Sequence, residues 1–314
     1  MPSQNKKLPK VSVVIPAYNE EDHIGKCLES IKKVNYPKNK IEVIVIDDGS
    51  TDDTRKIVSS FDVKLIKGKH EGVGISRNLG IKKSTGKIII FLDADETINK
   101  NFIIEVVKPF ENENIVGVDS YYKLVNNKGI IPRLHFLRIL LGMDYKDSTF
   151  PKVCRKKIVQ DIGGIKPRFG YYDDWDFKVR MSEKGKIVRV KGAICGKIEP
   201  GNLREMWRQN KWAGKSIVKL FFGYKKDTIR KLLFPIMCAP IPIYLLIFLT
   251  PFWFLGLVGI LPFLFIEIKR SFQMYRKTGW FESFLTAFFD IFTMDIYFIG
   301  IFLGLLDIKS VPKV

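Results

Sequence analysis

The chain has 314 residues, more than one compact domain usually needs and enough for one large α/β domain with an appendage. Apolar residues make up 46% and charged residues 27%, which excludes a disordered or collagen-like chain. The net charge of +19 calls for a polyanionic partner: nucleic acid, an anionic membrane surface or phosphate-bearing substrates.

Met1 to Lys10 is polar and the apolar run after it is too short for a signal peptide. The first half then alternates strand and helix patterns. Val11 to Ile15, Ile41 to Ile46 and Lys87 to Leu92 are short, nearly continuous β-branched runs, the mark of strands buried on both faces as in a parallel sheet. Helix-like stretches lie at about 21–34, 52–60 and 73–84. Ser50 or Thr51 is the expected cap of the second, with Asp52 and Asp53 in its first turn. This alternation predicts an α/β domain with right-handed crossovers. The four cysteines, Cys27, Cys154, Cys195 and Cys238, are scattered without paired spacing, so neither a disulfide scaffold nor a cysteine zinc site is expected.

Each predicted strand ends in polar residues: Tyr18-Asn19-Glu20, Asp47-Asp48 and Asp93-Ala94-Asp95. In open α/β sheets ligands bind beyond the carboxyl ends of the strands, so these three segments should converge on one crevice. On an extended segment Asp93 and Asp95 would point to one side and repel unless a hard divalent cation sat between them. The plain reading is a turn after a strand. Asp47-Asp48-Gly49-Ser50 suits a tight βα turn, but its two acids also suit the N–H edge of a base or a ribose hydroxyl. After Gly72-Val73-Gly74, whose glycines would let backbone approach a ligand, Arg77 could pair with phosphate; an exposed helix start is the equal alternative. Tyr171 to Phe177 holds three acids in four residues beside aromatics. There Asp174 suits a base facing a sugar, and Asp176 suits a structural place in a helix's first turn.

From Lys197 to Lys231 there are ten Lys or Arg against three acids. Arg204, Arg208, Lys211, Lys215 and Lys219 form one helical stripe, with Leu203, Met206, Trp207, Ile217, Leu220 and Phe221 largely off it. A basic amphipathic helix with Trp fits a membrane interface; the alternative is a helix packed on the domain with its cations in water. With no zinc-finger spacing and no basic zipper, no nucleic-acid partner is expected. Two uncharged runs follow, Leu232 to Leu249 and Phe252 to Ile266. At ~1.5 Å per residue each approaches the ~30 Å hydrocarbon core, which predicts a hairpin of membrane spans at 232–249 and 252–267. A third apolar segment, 284–306, contains Asp290 and Asp295; it either spans or lies partly in the membrane plane. The flanking cations place residues 1–231 in the cytoplasm of a multi-pass membrane protein.

Taken together, Pro16-Ala17-Tyr18-Asn19-Glu20, Asp47-Asp48-Gly49-Ser50, Arg77-Asn78, Asp93-Ala94-Asp95, Gly163-Gly164 and Asp173-Asp174-Trp175-Asp176 resemble glycosyltransferase family 2, over about residues 10–215. The resemblance implies a GT-A fold, a mostly parallel sheet flanked by helices. It also implies an inverting transferase that takes its sugar from a UDP- or GDP-sugar. By the same resemblance Pro16, Ala17, Tyr18, Glu20, Asp48, Arg77 and Asp93 bind the nucleotide. Asp95, with Asp93, holds diphosphate through Mg²⁺ or Mn²⁺, Asp174 is the catalytic base, and Asp173 and Trp175 lie on the acceptor side. Three departures stand out. The usual Glu-Asp pair is Asp173-Asp174. Lys197 replaces the His that often precedes Glu-Pro, making it a direct cation. Arg208 to Trp212 does not fit the motif of processive synthases.

The expected layout is a catalytic domain over 1–202, a basic interface helix and juxtamembrane segment over 203–231, and a transmembrane region over 232–314. The expected activity is sugar transfer to a hydroxyl of a membrane lipid or lipid-linked saccharide, as in cell-envelope glycan synthesis. A polyprenyl (dolichyl)-phosphate sugar synthase and a non-catalytic nucleotide-sugar-binding scaffold are the rivals.

Overall fold

The computed structural model describes residues 8–126, 128–143, 150–223, 268–286 and the isolated positions 265, 299, 301 and 303. These residues fall into two compact units. The first comprises Met1–Val125, Lys146–Pro167 and Asp173–Ile198; the second comprises Asn126–Tyr145, Arg168–Tyr172 and Glu199–Val314.

The first unit is built on one eight-stranded sheet. Its strands are β1 (Val11–Ala17), β2 (Ile41–Asp47), β3 (Lys64–Lys67), β4 (Ile88–Phe91), β5 (Thr97–Ile98), β6 (Ile115–Leu124), β7 (Val153–Arg155) and β8 (Lys186–Lys197). Their spatial order is β3-β2-β1-β4-β7-β6-β8-β5. β3, β2, β1 and β4 run parallel, and β7 lies antiparallel to both β4 and β6. The expected helices are α1 (Ile24–Lys32), α2 (Thr54–Ser59) and α3 (Val73–Lys83); α4 (Phe102–Val107), α6 (Lys156–Asp161) and α7 (Asp173–Ser182) complete the unit. Every residue of β1 and β4 is buried, as their nearly continuous apolar runs require. One core cluster joins β1, β2 and β4 to α1 and α4 through Ile15, Val45, Ile90, Ile24 and Phe102. A second joins the sheet to α3 and α7 through Val14, Phe91, Ile81 and Phe177.

Two local expectations change. α2 is capped at Asp53 rather than at Ser50 or Thr51, and Thr54 N donates to Asp52 Oδ1 (3.0 Å). Ser50 is engaged elsewhere, because its hydroxyl accepts from Asn19 N (3.0 Å). Gly74 serves packing: a Cβ there would stand 2.9 Å from Pro167 Cβ, so this glycine lets α3 pack closely. Cys27, Cys154 and Cys195 are free and buried.

In the second unit, α5 (Ile130–Met143) and α8 (Leu203–Gly223) meet a helix over 268–278, here α9. Leu134 and Leu137 of α5, Met206 of α8 and Met274 of α9 form its core, with Trp280 packed against them. Arg133 adds an ion pair to Glu282 (2.7 Å) and lies over the Trp280 ring. The spans expected at 232–249, 252–267 and 284–306 lie almost wholly outside the described residues. Among the described residues, no helix is long and apolar enough to cross a membrane.

Candidate active site

The ends of β1, β2 and β4 converge in the first unit, as parallel pairing of those strands demands. β1 and β2 are in register from Val11–Ile41 to Ala17–Asp47, so Tyr18 and Asp48 leave the sheet side by side. Their two loops are laced together. Asp48 N donates to Ala17 O (2.8 Å), and Thr51 N donates to Asn19 Oδ1 (2.8 Å). Asn19 sits at φ 55°, a left-handed conformation that Asn tolerates better than most residues. Asp47 is buried, with Arg55 Nε 2.9 Å from Oδ2 and Ser50 N donating to Oδ1 (3.2 Å). Asp47 therefore fastens the turn.

Asp48 is also buried, and its carboxylate holds the loop that leads into α3. Glu71 N donates to Oδ1 (3.0 Å) and Gly72 N to Oδ2 (2.8 Å). The same loop brings the His70 ring onto Tyr18, centroids 4.1 Å apart. Tyr18 stays exposed. One aromatic shelf and one buried carboxylate thus sit together at the β1–β2 end.

Arg77 joins the β4 end to α7. Buried on α3, it donates from Nη2 to Asp93 Oδ1 (2.8 Å) and from Nη1 to Asp174 Oδ1 (2.9 Å). Its guanidinium lies over the Phe150 ring, 5.1 Å from the centroid. A planar fork with separated donors is the side chain that can hold two carboxylates at once. The next residue, Asn78, has a purely structural place. It donates from Nδ2 to Ile165 O (2.6 Å), and its Oδ1 accepts from Ile165 N (2.9 Å). A Cβ on Gly164, which sits at φ +70°, would meet that Oδ1 at 2.6 Å. Asn78 therefore explains Gly164. Asp176 is structural as expected: it is buried and bonded by Arg180 Nε (2.8 Å), while Arg180 Nη1 reaches Ile162 O and Gly164 O. Asp173 is buried and Trp175 half-buried, both at the start of α7.

Asp93 and Asp95 do not lie on one extended segment. The chain turns at Ala94 and Asp95, and Glu96 N donates to Asp93 O (3.0 Å). The two acids are near each other because the turn folds them together. Burial would raise the Asp93 carboxyl, but Arg77, Lys152 and Lys197 outweigh it and hold it well below the ordinary range. Asp95 goes the other way. Burial first, then the carboxylates of Asp93, Glu96 and Glu20, push it up to about 8 against the pull of Lys197. Burial also raises Glu20, which is opposed by its contact with His23 (3.1 Å). Lys197 ends β8 with its Nζ 5.8 Å from the Tyr122 ring centre.

Two residues of this floor were not foreseen from sequence. Lys152 Nζ lies 2.5 Å from Glu96 Oε2, and both side chains are buried. That same Oε2 accepts from Asp93 N (3.1 Å). Neither was singled out by the sequence, because the two partners lie 56 positions apart and pair only through the fold.

The acids fit a divalent cation. A carboxyl held as high as Asp95, among three other carboxylates, is short of positive charge. Among the described residues no three His, Cys, Asp or Glu side chains form a cage by themselves. Mg²⁺ and similar ions usually take one or two carboxylates together with substrate phosphate oxygens, and Asp95 with Asp93 supplies that number.

Residues 12–167 match the family described as Glycosyl transferase family 2. The chain is 30% identical over 255 residues to Probable glycosyltransferase YdaM of Bacillus subtilis, covering 71% of this chain and 60% of that protein. It is 45% identical over 172 residues to Glycosyltransferase AglE of Haloferax volcanii, covering 50% of this chain and 56% of that one. The chain thus spans a little under two thirds of the length of each. Among solved structures, the mannosyltransferase PcManGT of Pyrobaculum calidifontis, in complex with GDP-Man and Mn²⁺, matches with a TM-score of 0.63 at 18% identity. It covers 95% of this chain and 88% of that one, which shows a shared fold. The parallel sheet, the acids at its strand ends and the matched segment agree: residues 12–167 are a family 2 glycosyl transferase domain.

Proposed function

We propose that the protein is an inverting, membrane-anchored glycosyltransferase. It would move a sugar from a nucleotide-diphosphate sugar to a hydroxyl of a membrane lipid or lipid-linked saccharide. One observation carries the reading: Arg77 links Asp93 to Asp174 with bonds of 2.8 and 2.9 Å, so the diphosphate-side acid and the candidate base share one cation.

In this reading Pro16, Ala17, Tyr18, Glu20 and Asp48 receive the nucleoside, with Tyr18 offering its ring and Asp48 its carboxylate. Asp93, Asp95 and the phosphate oxygens would hold Mg²⁺ or Mn²⁺. A divalent cation bound there supplies positive charge that offsets the departing nucleoside diphosphate. Asp174 takes the proton of the acceptor hydroxyl as its oxygen bonds to the anomeric carbon. The bond from that carbon to the phosphate oxygen breaks on the opposite face, and its electron pair leaves with the diphosphate, so configuration inverts. Arg77 fixes the orientation of Asp174 by occupying Oδ1. A hydroxyl needs such a base, whereas a polyprenyl phosphate is already anionic and a carboxylate at its point of attack would repel it. Asp173 and Trp175 begin the same helix and belong to the acceptor side.

The membrane part of the reading is supported by the uncharged runs 232–249 and 252–266 and by α8. Arg204, Arg208 and Lys211 are exposed on α8, and so are Leu203, Trp207 and Trp212. Outward indoles beside outward cations suit an anionic bilayer surface on the cytoplasmic side. The test is turnover. Purified full-length protein, given UDP- and GDP-sugars with Mn²⁺ and a panel of lipid-linked saccharides, should release nucleoside diphosphate only when donor and acceptor are both present. Transfer to polyprenyl phosphate would replace the hydroxyl acceptor, and nucleotide binding without any release would leave a scaffold.

A further inference from the structure

α9 turns its apolar side outward. Its inner side is modest: Ser271 and Met274 are buried, with Ser271 Oγ bonded to Thr286 Oγ1 (3.1 Å) and Met274 in the core with Met206. Its outer side is a row of large apolar residues. Ile268, Phe272 and Tyr275 recur every three or four positions and are all exposed, Ile268 by 57% and Phe272 by 55%. The row continues into a short 3-10 turn, Phe281–Leu285, where Phe281 is 73% exposed. Phe284 joins the two pieces, its ring 5.2 Å from Phe272, 5.3 Å from Tyr275 and 5.8 Å from Phe281. A contiguous outward row of this kind marks an interface.

The surrounding chemistry selects the occupant. Lys269, Arg270, Arg276 and Lys277 lie on α9, and the stretch 268–278 contains no acid. Lys269 and Arg276 are exposed and seven residues apart, two helical turns, so they border the apolar row along one side. Tyr275 adds an aromatic ring with a polar tip. In sequence the helix sits between the uncharged run 252–266 and the apolar segment that begins at 284. A helix with an aromatic stripe and a cationic border, set between apolar runs, is built to lie in the plane of a bilayer rather than against a protein.

We propose that α9 and the Phe281–Leu285 turn form a second membrane-contact element, separate from the basic stripe of α8. Ile268, Phe272, Tyr275 and Phe281 enter the boundary between headgroups and acyl chains, and Lys269 and Arg276 meet anionic headgroups. The proposal rests on the membrane reading above and adds a particular face to it.

The test uses the full chain with Cys238→Ser, since Cys27, Cys154 and Cys195 are buried. Single substitutions Phe272→Cys, Phe281→Cys and, as the off-row control, Gln273→Cys are labelled with the environment-sensitive dye NBD. The labelled proteins are reconstituted into vesicles of phosphatidylcholine and phosphatidylglycerol. An unchanged thermal melt for each labelled protein establishes that it is folded. At positions 272 and 281 the dye should emit further to the blue and be quenched by lipid-borne doxyl groups at least about twofold more than at 273, with aqueous iodide giving the reverse order. Three results overturn the proposal. Iodide quenching at 272 and 281 as strong as at 273, in protein that stays in the vesicles, means the row faces water. Shielding from both quenchers means that protein, such as a second copy, covers it. Extraction of the whole protein from the vesicles by alkaline carbonate removes the membrane reading itself, and this proposal with it.

Discussion

The crevice of the first unit and the outer faces of α8 and α9 in the second use charge in opposite ways. In the crevice the acids are held by named partners: Asp93 and Asp174 by Arg77, Glu96 by Lys152, Asp48 by two backbone N–H groups. On α8 and α9 exposed cations stand beside exposed aromatic rings. A preorganised ion-pair network fixes positions to within tenths of an ångström, as group transfer requires. An open row of cations and rings fixes nothing by itself. The first arrangement should therefore be sensitive to single substitutions and the second tolerant of them.

The largest effect is expected at Lys152. Its ammonium and the Glu96 carboxylate are both buried at 2.5 Å. Removing one partner of such a pair leaves an uncompensated buried charge and typically costs about 3–5 kcal/mol. Lys152→Met should lower the melting temperature sharply, and the double variant with Glu96→Gln should recover most of the loss. Equal losses for the single and double variants would show that Lys152 acts by packing rather than by charge.

Next in size is Asp174→Asn, which keeps the shape and removes the base. Turnover should fall by at least ~10² with donor affinity nearly unchanged, the signature of an interaction made only in the transition state. Retained activity would move the base elsewhere on the crevice and break the contrast drawn above.

A smaller effect concerns the cation and pH. Because Asp95 is pushed up to about 8, it is protonated in the metal-free protein near neutrality, and a metal must displace that proton. Mn²⁺ affinity in the presence of nucleoside diphosphate should rise with pH by up to about tenfold per unit below pH 8, then level off. The metal-free protein should show the matching stability trend. A carboxyl whose folded value exceeds its unfolded value binds more protons when folded, so stability declines as pH rises from about 4 to 8. Titration of Mn²⁺ by calorimetry at several pH values checks the first statement, and thermal melts of the metal-free protein between about pH 4 and 8, with Asp95→Asn as the flatter control, check the second. EDTA should abolish turnover, and Mn²⁺ or Mg²⁺ should restore it.

The sensitive region was also the more legible one, for a physical reason. Parallel strands inside the sheet have to be mostly apolar, so β1, β2 and β4 stand out despite Ser12 and Glu42, and the acids at their ends are conspicuous where an apolar run stops. The helical period showed α8. Two kinds of feature escaped. β3 has exposed lysines at both ends and half-buried centres, so it lacks the mostly apolar run that marks β1, β2 and β4. The rest of the sheet, β5 to β8, mixes parallel and antiparallel pairs spread over a hundred residues, and its pairings are set by tertiary contact. Long-range pairs such as Glu96 with Lys152, or His70 against Tyr18, leave no local trace. The periodicity of α8 revealed the stripe, but not that Trp207 faces out while Met206, Asn210, Ala213 and Ser216 face in.

The smallest effect on folding is expected where α8 bears its stripe. Arg208 and Lys211 are exposed, and substitution at such sites away from caps and cores usually changes stability by less than ~0.5 kcal/mol. Arg208→Gln with Lys211→Gln should therefore leave the melting temperature and the nucleotide affinity of the purified full chain almost unmoved. Binding of anionic lipid is a separate matter. Each cation near an anionic surface contributes about 1 kcal/mol, roughly a fivefold change in affinity. The double variant should thus bind phosphatidylglycerol in mixed micelles more than tenfold more weakly, with a flatter dependence on salt, because fewer screened contacts remain. A variant that melts lower and binds lipid normally would place these cations among the fold's own ion pairs. The stripe would then work as the crevice does, by holding the protein together.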